Sequence, residues 1–205
     1  MSNFFILRYL NYASLNLLDL FKGFEIVVVK KLISFNFQNY ARVLDSKNLI
    51  MRIAMANFKP SDPDYEARLR ESFCSQGLMK LIGAEIISIS PGHCEIRTPF
   101  NETVSQQHGF FHGGVVGAVA DSAGGYSSFT LMNPGDGVLT VEYKLNFITP
   151  ADGDELIASG RIIKSGRTLT VCHVDVFVVK LGVKKLCAVM QQTLMRVVGQ
   201  PNISI

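Results

Sequence analysis

The sequence predicts an α+β fold, an antiparallel sheet with its helices gathered on one side. Three observations carry this. Strand-like runs follow one another directly, first as a pair and later as a group of four, which suits antiparallel pairing. Between the two groups lies a helix-length stretch built almost entirely from Gly, Ala, Val and Ser, residues 113–132. Finally, 48% apolar and 18% charged residues in a 205-residue chain are enough for one full core and do not fit a disordered protein.

Taken in order, residues 62–80 read as a helix. Ser61 or Asp62 can cap it, Pro63 suits the first turn, and Asp64 and Glu66 favour the positive helix end. Tyr65, Leu69, Phe73, Leu78, Met79 and Leu81 supply its apolar stripe. The run AEIISISPGHCEIRTPF is two alternating strands about a Pro91-Gly92 turn. The central helix 113–132 follows, and NPGDG breaks it with strong turn residues. Four strands close the chain. VLTVEYKLNFI is one, ELIASGRIIKSGRTLTVCHVDVFVVK is two separated at Ser165-Gly166, and KKLCAVMQQTLMRVV is the last, after a turn at Gly182.

Residues 1–55 differ from residues 56–205. The first segment holds seven Lys/Arg against three Asp/Glu, a balance of +4, and nine of the 20 aromatic residues. The second holds thirteen against fourteen, a balance of −1. Residues 56–205 are therefore expected to form the domain, with 1–55 as an extension. Three readings of the extension compete: an amphipathic membrane-surface segment, an extra element packed on the domain, or upstream sequence translated from a mis-assigned start. The abrupt change of composition at MANFKPSDPDYEARL favours the third, with Met51 or Met55 as the first residue. N-terminal sequencing of natively expressed protein decides it, and a mature start at Met1 contradicts it.

Composition and motifs also remove several classes. Charges at Arg8, Asp19, Lys22, Glu25, Lys30 and Lys31 interrupt the apolar N-terminal region, so no run approaches the roughly 20 residues of a spanning helix. No signal-peptide pattern is present, and neither segment has the focused basic face of a nucleic-acid binder. Cys74, Cys94, Cys172 and Cys187 are far apart and are expected to be buried free thiols in a reducing cytoplasm. There is no GxSxG elbow, P-loop or GxGxxG. His108 and His112 precede the helix and lack the HExxH glutamate, so no metal site is expected, and His93 and His173 read as structural or surface residues.

One residue stands out. Asp121 is the single charge in the central helix, and its neighbours at i−4, i−3, i+3 and i+4 are Gly117, Ala118, Gly124 and Gly125. Each mid-helix Gly costs about 1 kcal/mol relative to Ala. Something must approach that backbone closely: a sheet, a partner helix or a ligand. A carboxylate held there without water has a raised pKa, which suits a base or nucleophile. HGFFHGG places Gly113 and Gly114 in the first turn, where backbone N–H groups lack partners and can hold an oxyanion. Gln106 adds an amide in the preceding loop. Gly113 and Asp121 are eight residues apart, about 12 Å along one helix. Both cannot touch one carbonyl group, so the spacing favours a dimer in which each helix completes the other's site. KSGRT sets Lys164 and Arg167 around a Gly turn, where they suit phosphates. Glu142 is expected on the same strand face as Thr140, lining the ligand groove, and Asp175 either there or in solvent. Phe110, Phe111 and Tyr126 are candidates for shaping an aromatic or medium-chain pocket.

HGG at 112–114, Asp121 within GGVVGAVAD, VLTVEYKLNFITPA and IKSGRTL together resemble the PaaI-type hotdog-fold acyl-CoA thioesterases, over roughly residues 65–198. The resemblance implies a curved antiparallel sheet wrapped around the long helix, with dimers joining their sheets. It implies that Asp121 is the general base or nucleophile, acting across the dimer interface. It implies that the Gly113 N–H polarises the carbonyl, with Gly114 beside it, and that His112 is a supporting residue. Gln106 stands where many members carry Asn and where the related 4-hydroxybenzoyl-CoA thioesterases carry Gln. Thr140 would position water. Lys164, Ser165, Gly166, Arg167, Thr168 and Leu169 match the segment that contacts coenzyme A. The partners implied are an acyl-CoA and further copies of the chain, as a homodimer and then a homotetramer, in the cytoplasm, with no cofactor. The alternatives are a hotdog-fold enoyl-CoA hydratase or dehydratase, which would need an Asp–His pair on the substrate, and a non-catalytic acyl-CoA sensor.

Overall fold

The computed structural model describes residues 58–199. The expectations for residues 1–55 lie outside that range. Within it, the elements run α1 (Tyr65–Cys74), α2 (Gly77–Leu81), β1 (Glu85–Ser90), β2 (His93–Pro99), a 3₁₀ turn (Glu102–Val104), α3 (Gly113–Phe129), β3 (Gly137–Phe147), β4 (Glu155–Ser165), β5 (Leu169–Lys180) and β6 (Val183–Val197). The strands form one six-stranded antiparallel sheet in the order β1-β2-β4-β5-β6-β3. The α+β expectation holds, and α3 packs against β2, β3, β4, β5 and β6, so the sheet wraps around it.

Alternation decides which side chains meet the helix. On β2, Cys94, Ile96 and Thr98 are buried, and on β4 Leu156, Ala158, Gly160 and Ile162. On β5 the buried set is Thr170, Cys172, Val174, Val176 and Val178. These face Val116, Val119, Ala120, Ala123 and Ser127 of α3, the three-and-four spacing of a helix stripe. The approach is tightest at Gly160. A Cβ there would lie 2.6 Å from the Ala123 carbonyl oxygen and 2.6 Å from Ser127 Oγ. Backbone cannot give way as a side-chain tip can. Gly160→Ala is therefore expected to cost about 3 kcal/mol by overpacking, which lowers Tm by roughly 6–12 °C for a domain of this size. Thermal unfolding checks this, and an unchanged Tm contradicts the packing.

The first helix differs from its expected form. It is broken between Cys74 and Gly77, because Gln76 adopts an extended backbone (φ −74°, ψ 111°) and starts α2. Asp64, not Ser61 or Asp62, occupies the cap position of α1 and makes no side-chain cap. Asp62 acts from two residues upstream: its carboxylate accepts the Asp64 N–H (2.9 Å) and the Arg68 Nε–H (2.8 Å). The central helix ends at Phe129, and residues up to Met132 continue as single turns.

Three of the four cysteines, Cys94, Cys172 and Cys187, are buried free thiols as expected. Burial pushes the thiols of Cys94 and Cys172 up to about 12 and that of Cys187 to about 11. Cys74 is exposed, because it ends α1 on the side away from the core stripe. Among the described residues no helix is long and apolar enough to cross a membrane.

Candidate active site

β3 and α3 run side by side in opposite directions, and this pairing builds the site. Phe147 lies against Gly113, with its Cζ 3.2 Å from where a Cβ would sit. Leu145 and Tyr143 lie against Gly117. Thr140 lies against Asp121, donating its hydroxyl to Oδ1 at 2.7 Å. The edge strand thus acts as a ruler for the helix, with Thr140 and Phe147 marking the acid and the helix start.

Asp121 is half-buried. Burial holds its carboxyl above the ordinary carboxylate range, partly offset by the Thr140 hydroxyl. Gln192 on β6 completes the group. Its Nε2 donates to Asp121 Oδ1, to the Asp121 carbonyl (3.3 Å) and to Thr140 Oγ1 (3.1 Å). Gln192 is 1% exposed and its Oε1 has no partner among the described residues. Removing the Thr140 hydroxyl takes away a donor that favours ionised Asp121. Thr140→Val is therefore expected to move the titration of the Asp121 carboxyl to higher pH, read by carboxyl-carbon NMR. A titration that stays in place contradicts this coupling.

The three glycines around Asp121 have three different roles. A Cβ on Gly124 would meet Gln192 Oε1 at 1.9 Å, so only Gly admits the buried amide. A Cβ on Gly125 would meet nothing within 4 Å, and Gly125 opens instead onto a cavity of about 470 Å³ that Asp121 and Thr140 also line. That volume lies in the range of small-molecule sites. A Cβ on Gly117 would make only ordinary contacts, 3.6 Å to Leu145.

At the helix start, His112 is the cap residue and its Nδ1 accepts the Gly114 N–H at 2.9 Å. Gly114 is thereby spent on the cap. Among the described residues, the Gly113 N–H has no hydrogen-bond partner. Gln106 is half-buried just upstream, and its Oε1 accepts the His108 N–H, which leaves its amide N–H groups to point elsewhere. The hairpin carrying Lys164, Ser165, Gly166, Arg167, Thr168 and Leu169 is exposed. Gly166 donates to the Leu169 carbonyl (2.9 Å), and a Cβ on Gly166 would collide with that oxygen at 2.7 Å. The hairpin belongs to the Asp121 end of the sheet: Ser165, Thr170, Leu194 and Thr140 share one rung across β4, β5, β6 and β3.

Residues 108–184 match the thioesterase superfamily. A thioesterase family protein from Silicibacter pomeroyi is 41% identical, and the match covers 66% of this chain and 99% of that one with a TM-score of 0.65. The chain belongs to the thioesterase superfamily. A 1,4-dihydroxy-2-naphthoyl-CoA hydrolase of Listeria monocytogenes is 26% identical over 49% of this chain and 81% of its own. The PaaI protein of the E. coli phenylacetic acid degradation operon shares the fold, at 20% identity and a TM-score of 0.58, over 67% of this chain and 96% of that one. The wrapped sheet and central helix are the hotdog fold, and the resemblance read from the motifs holds.

Several details of this thioesterase depart from the expectations. Glu142 does not share a face with Thr140. A β-bulge at Val141 shifts the register, so Thr140 opposes buried Leu194 while Glu142 opposes Thr193 and accepts its hydroxyl at 3.1 Å. Glu142 therefore lies on the face away from the helix. Asp175 lies there too, bound to His173 (2.8 Å) and Arg161 (2.9 Å). His93 meets Ser159 on that face, at 3.1 Å. Of the aromatic candidates, Tyr126 lines the cavity, whereas Phe111 is buried against Phe100. Among the described residues no three His, Cys, Asp or Glu side chains converge as a metal site requires.

Gln192 escaped the sequence reading, although a signal for it exists. Two glutamines interrupt the apolar strand AVMQQTLM, and period-2 alternation with buried Ala188, Met190 and Leu194 puts Gln192 on the helix side. Ser72 and Gln76 also line the cavity, Ser72 from the last turn of α1 and Gln76 from the extended residue between α1 and α2.

Proposed function

We propose that this thioesterase hydrolyses aryl or medium-chain acyl-CoA to free acid and CoA, at composite sites formed by two copies of the chain. The observation that carries the proposal is the division of α3. A carboxyl held above its ordinary pKa lines a cavity at one point, and an N–H with no partner among the described residues stands eight residues away at the helix start. Neither half suffices for acyl transfer.

The edge strand explains how the halves would meet. Among the described residues β3 pairs on one side only, with β6, and Leu139, Val141, Tyr143, Phe147 and Ile148 are exposed along it or just past its end. An open edge rich in apolar side chains is a template for another strand. Antiparallel pairing of two such edges, with Thr140 opposite the partner's Phe147, would continue the sheet. Because Thr140 marks Asp121 and Phe147 marks Gly113, that register would place each acid beside the partner's helix start. Pairing of such dimers into a tetramer remains part of the proposal.

In this arrangement the thioester carbonyl oxygen accepts the Gly113 N–H, with the Gln106 amide assisting, and His112 holds the turn by capping Gly114. Asp121 of the other copy either takes a proton from water, which adds to the carbonyl carbon, or adds directly and forms an anhydride that water then opens. Thr140 and Gln192 hold its carboxylate. The tetrahedral intermediate collapses with loss of the CoA thiolate, which receives the proton that Asp121 took from water or, in the anhydride route, a proton from the water that opens the anhydride. The exposed Lys164 and Arg167 suit the phosphates of CoA, and the Ser165–Leu169 backbone suits the pantetheine amides.

The test is thiol release across short, medium, long and aryl acyl-CoAs. Hydrolysis of an aryl or medium-chain thioester supports the proposal. Tight binding without turnover would instead favour an acyl-CoA sensor, and hydration of enoyl-CoA a hydratase.

A further inference from the structure

Asp121 does not offer its two carboxylate oxygens equally. Both side-chain donors that reach it converge on Oδ1: the Thr140 hydroxyl from β3 at 2.7 Å and the Gln192 Nε2 from β6. Among the described residues, none donates to Oδ2. Nor is Oδ2 sealed in, since the buried side-chain atoms without a partner include Gln192 Oε1 but not Asp121 Oδ2. Oδ1 is occupied twice over, so Oδ2 is the oxygen left for whatever fills the cavity that Asp121 lines.

Gln192 makes this arrangement at a visible cost to the fold. Its side chain is buried, and Nε2 also serves the Asp121 carbonyl (3.3 Å) and Thr140 Oγ1 (3.1 Å), while Oε1 has no partner among the described residues. The reverse orientation would set Oε1 against the Asp121 carbonyl and an ionised Oδ1, which only accept, so the neighbours fix the amide. Oε1 then points at α3, where a Cβ on Gly124 would lie 1.9 Å from it. A buried unpaired oxygen and a mid-helix glycine both weaken a fold. An apolar side chain on β6 would avoid the first, so packing alone gives no reason for the amide.

We propose that Gln192 is a positioning residue that makes Oδ2 the reacting oxygen of Asp121, and that Gly124 serves the reaction by leaving room for the Gln192 amide. This rests on the acyl-CoA reading above, with Asp121 as base or nucleophile. In the base route Oδ2 takes one proton from water as the water oxygen bonds the acyl carbon. In the anhydride route Oδ2 itself forms that bond, the thiolate leaves, and water later opens the anhydride. With both donors on Oδ1, the carboxylate is held against rotation about its Cβ–Cγ bond, and Oδ2 keeps its lone pairs for this step.

The experiment measures kcat and KM, with the acyl-CoA that the wild type hydrolyses fastest, on Gln192→Leu, Gln192→Ala, Gly124→Ala and the double variant Gly124→Ala/Gln192→Ala. Gln192→Leu is expected to lower kcat by about 10- to 100-fold, the effect of a misplaced reacting group, with KM within about threefold. Gly124→Ala is expected to do the same from the helix, because its Cβ displaces the amide. The double variant should be no slower than the slower single variant, since two independent roles would multiply. Wild-type kcat in Gln192→Leu, or losses that multiply in the double variant, overturn the inference. Gln192→Leu carries the test where Gly124→Ala does not fold. Carboxyl-carbon NMR of Asp121 gives a readout without turnover. The side chains that bond it, Thr140 and Gln192, do not titrate, and among the described residues no ion pair reaches it. Losing the Gln192 donor removes a bond that favours the ionised form, so the titration should move to higher pH in Gln192→Leu and Gly124→Ala. A titration that stays in place overturns the hold on Asp121. A wild type that hydrolyses no thioester strikes the acyl-CoA reading instead, and the NMR result then decides whether Gln192 holds Asp121.

Discussion

Asp121→Asn is expected to lower kcat for acyl-CoA hydrolysis by about 100- to 10,000-fold, the contribution of a positioned base, while the protein stays folded. Asn is the same size, and its Oδ1 can still accept from Thr140 and Gln192. The pH dependence follows from the direction of the Asp121 shift. In the proposed mechanism the reactive form of Asp121 is ionised, and burial raises its pKa. The wild-type kcat/KM should therefore rise with pH through a limb placed above the ordinary Asp value of about 3.9. The stability effect has the opposite sense. A carboxyl whose folded pKa is raised favours its protonated form in the fold, so ionised Asp121 weakens the fold once pH exceeds that pKa, and the cost is absent below the ordinary value. At neutral pH the Asn variant should match or exceed the wild-type Tm. A variant that is inactive because it unfolds contradicts this account.

Gly113→Pro is expected to lower kcat by about 100- to 1,000-fold, the loss seen when one oxyanion donor is removed, with the helix intact. Proline deletes the N–H and is favoured at the first helical position. His112 already has φ −64° and ψ 136°, the extended conformation that a residue before proline prefers. The His112 cap acts on the Gly114 N–H and survives. Far-ultraviolet circular dichroism should be unchanged while thiol release falls. Full activity in this variant would remove the Gly113 N–H from the mechanism.

Much of this site was legible because its chemistry is written in backbone terms. Glycines at 113, 124 and 125 mark a helix start, a close approach and an opening, and a lone acid among small residues signals a carboxylate with a purpose. The strands were legible from alternation, and the α3–β3 partnership followed from the fold. What escaped depends on single-residue departures from regular geometry. The bulge at Val141 reverses the face of Glu142, and no local signal separates it from plain alternation. The extended Gln76 breaks a stretch whose apolar spacing reads as one helix, and so brings Gln76 itself to the cavity. Gln192 was visible in principle, but its partner Asp121 lies 71 residues away. Only the sheet register brings them together.

The central claim is that each helix supplies half of two sites. It is tested most directly by co-expressing Asp121→Asn and Gly113→Pro chains with different affinity tags and assaying the doubly purified mixed dimer. Each such dimer would carry one intact site, from the Asp121 of one chain and the Gly113 N–H of the other, and one doubly defective site. The account predicts about half of wild-type turnover per dimer from two parents that are each nearly inactive. A mixed dimer as inactive as its parents would place Asp121 and Gly113 in the same chain's site and contradict the account.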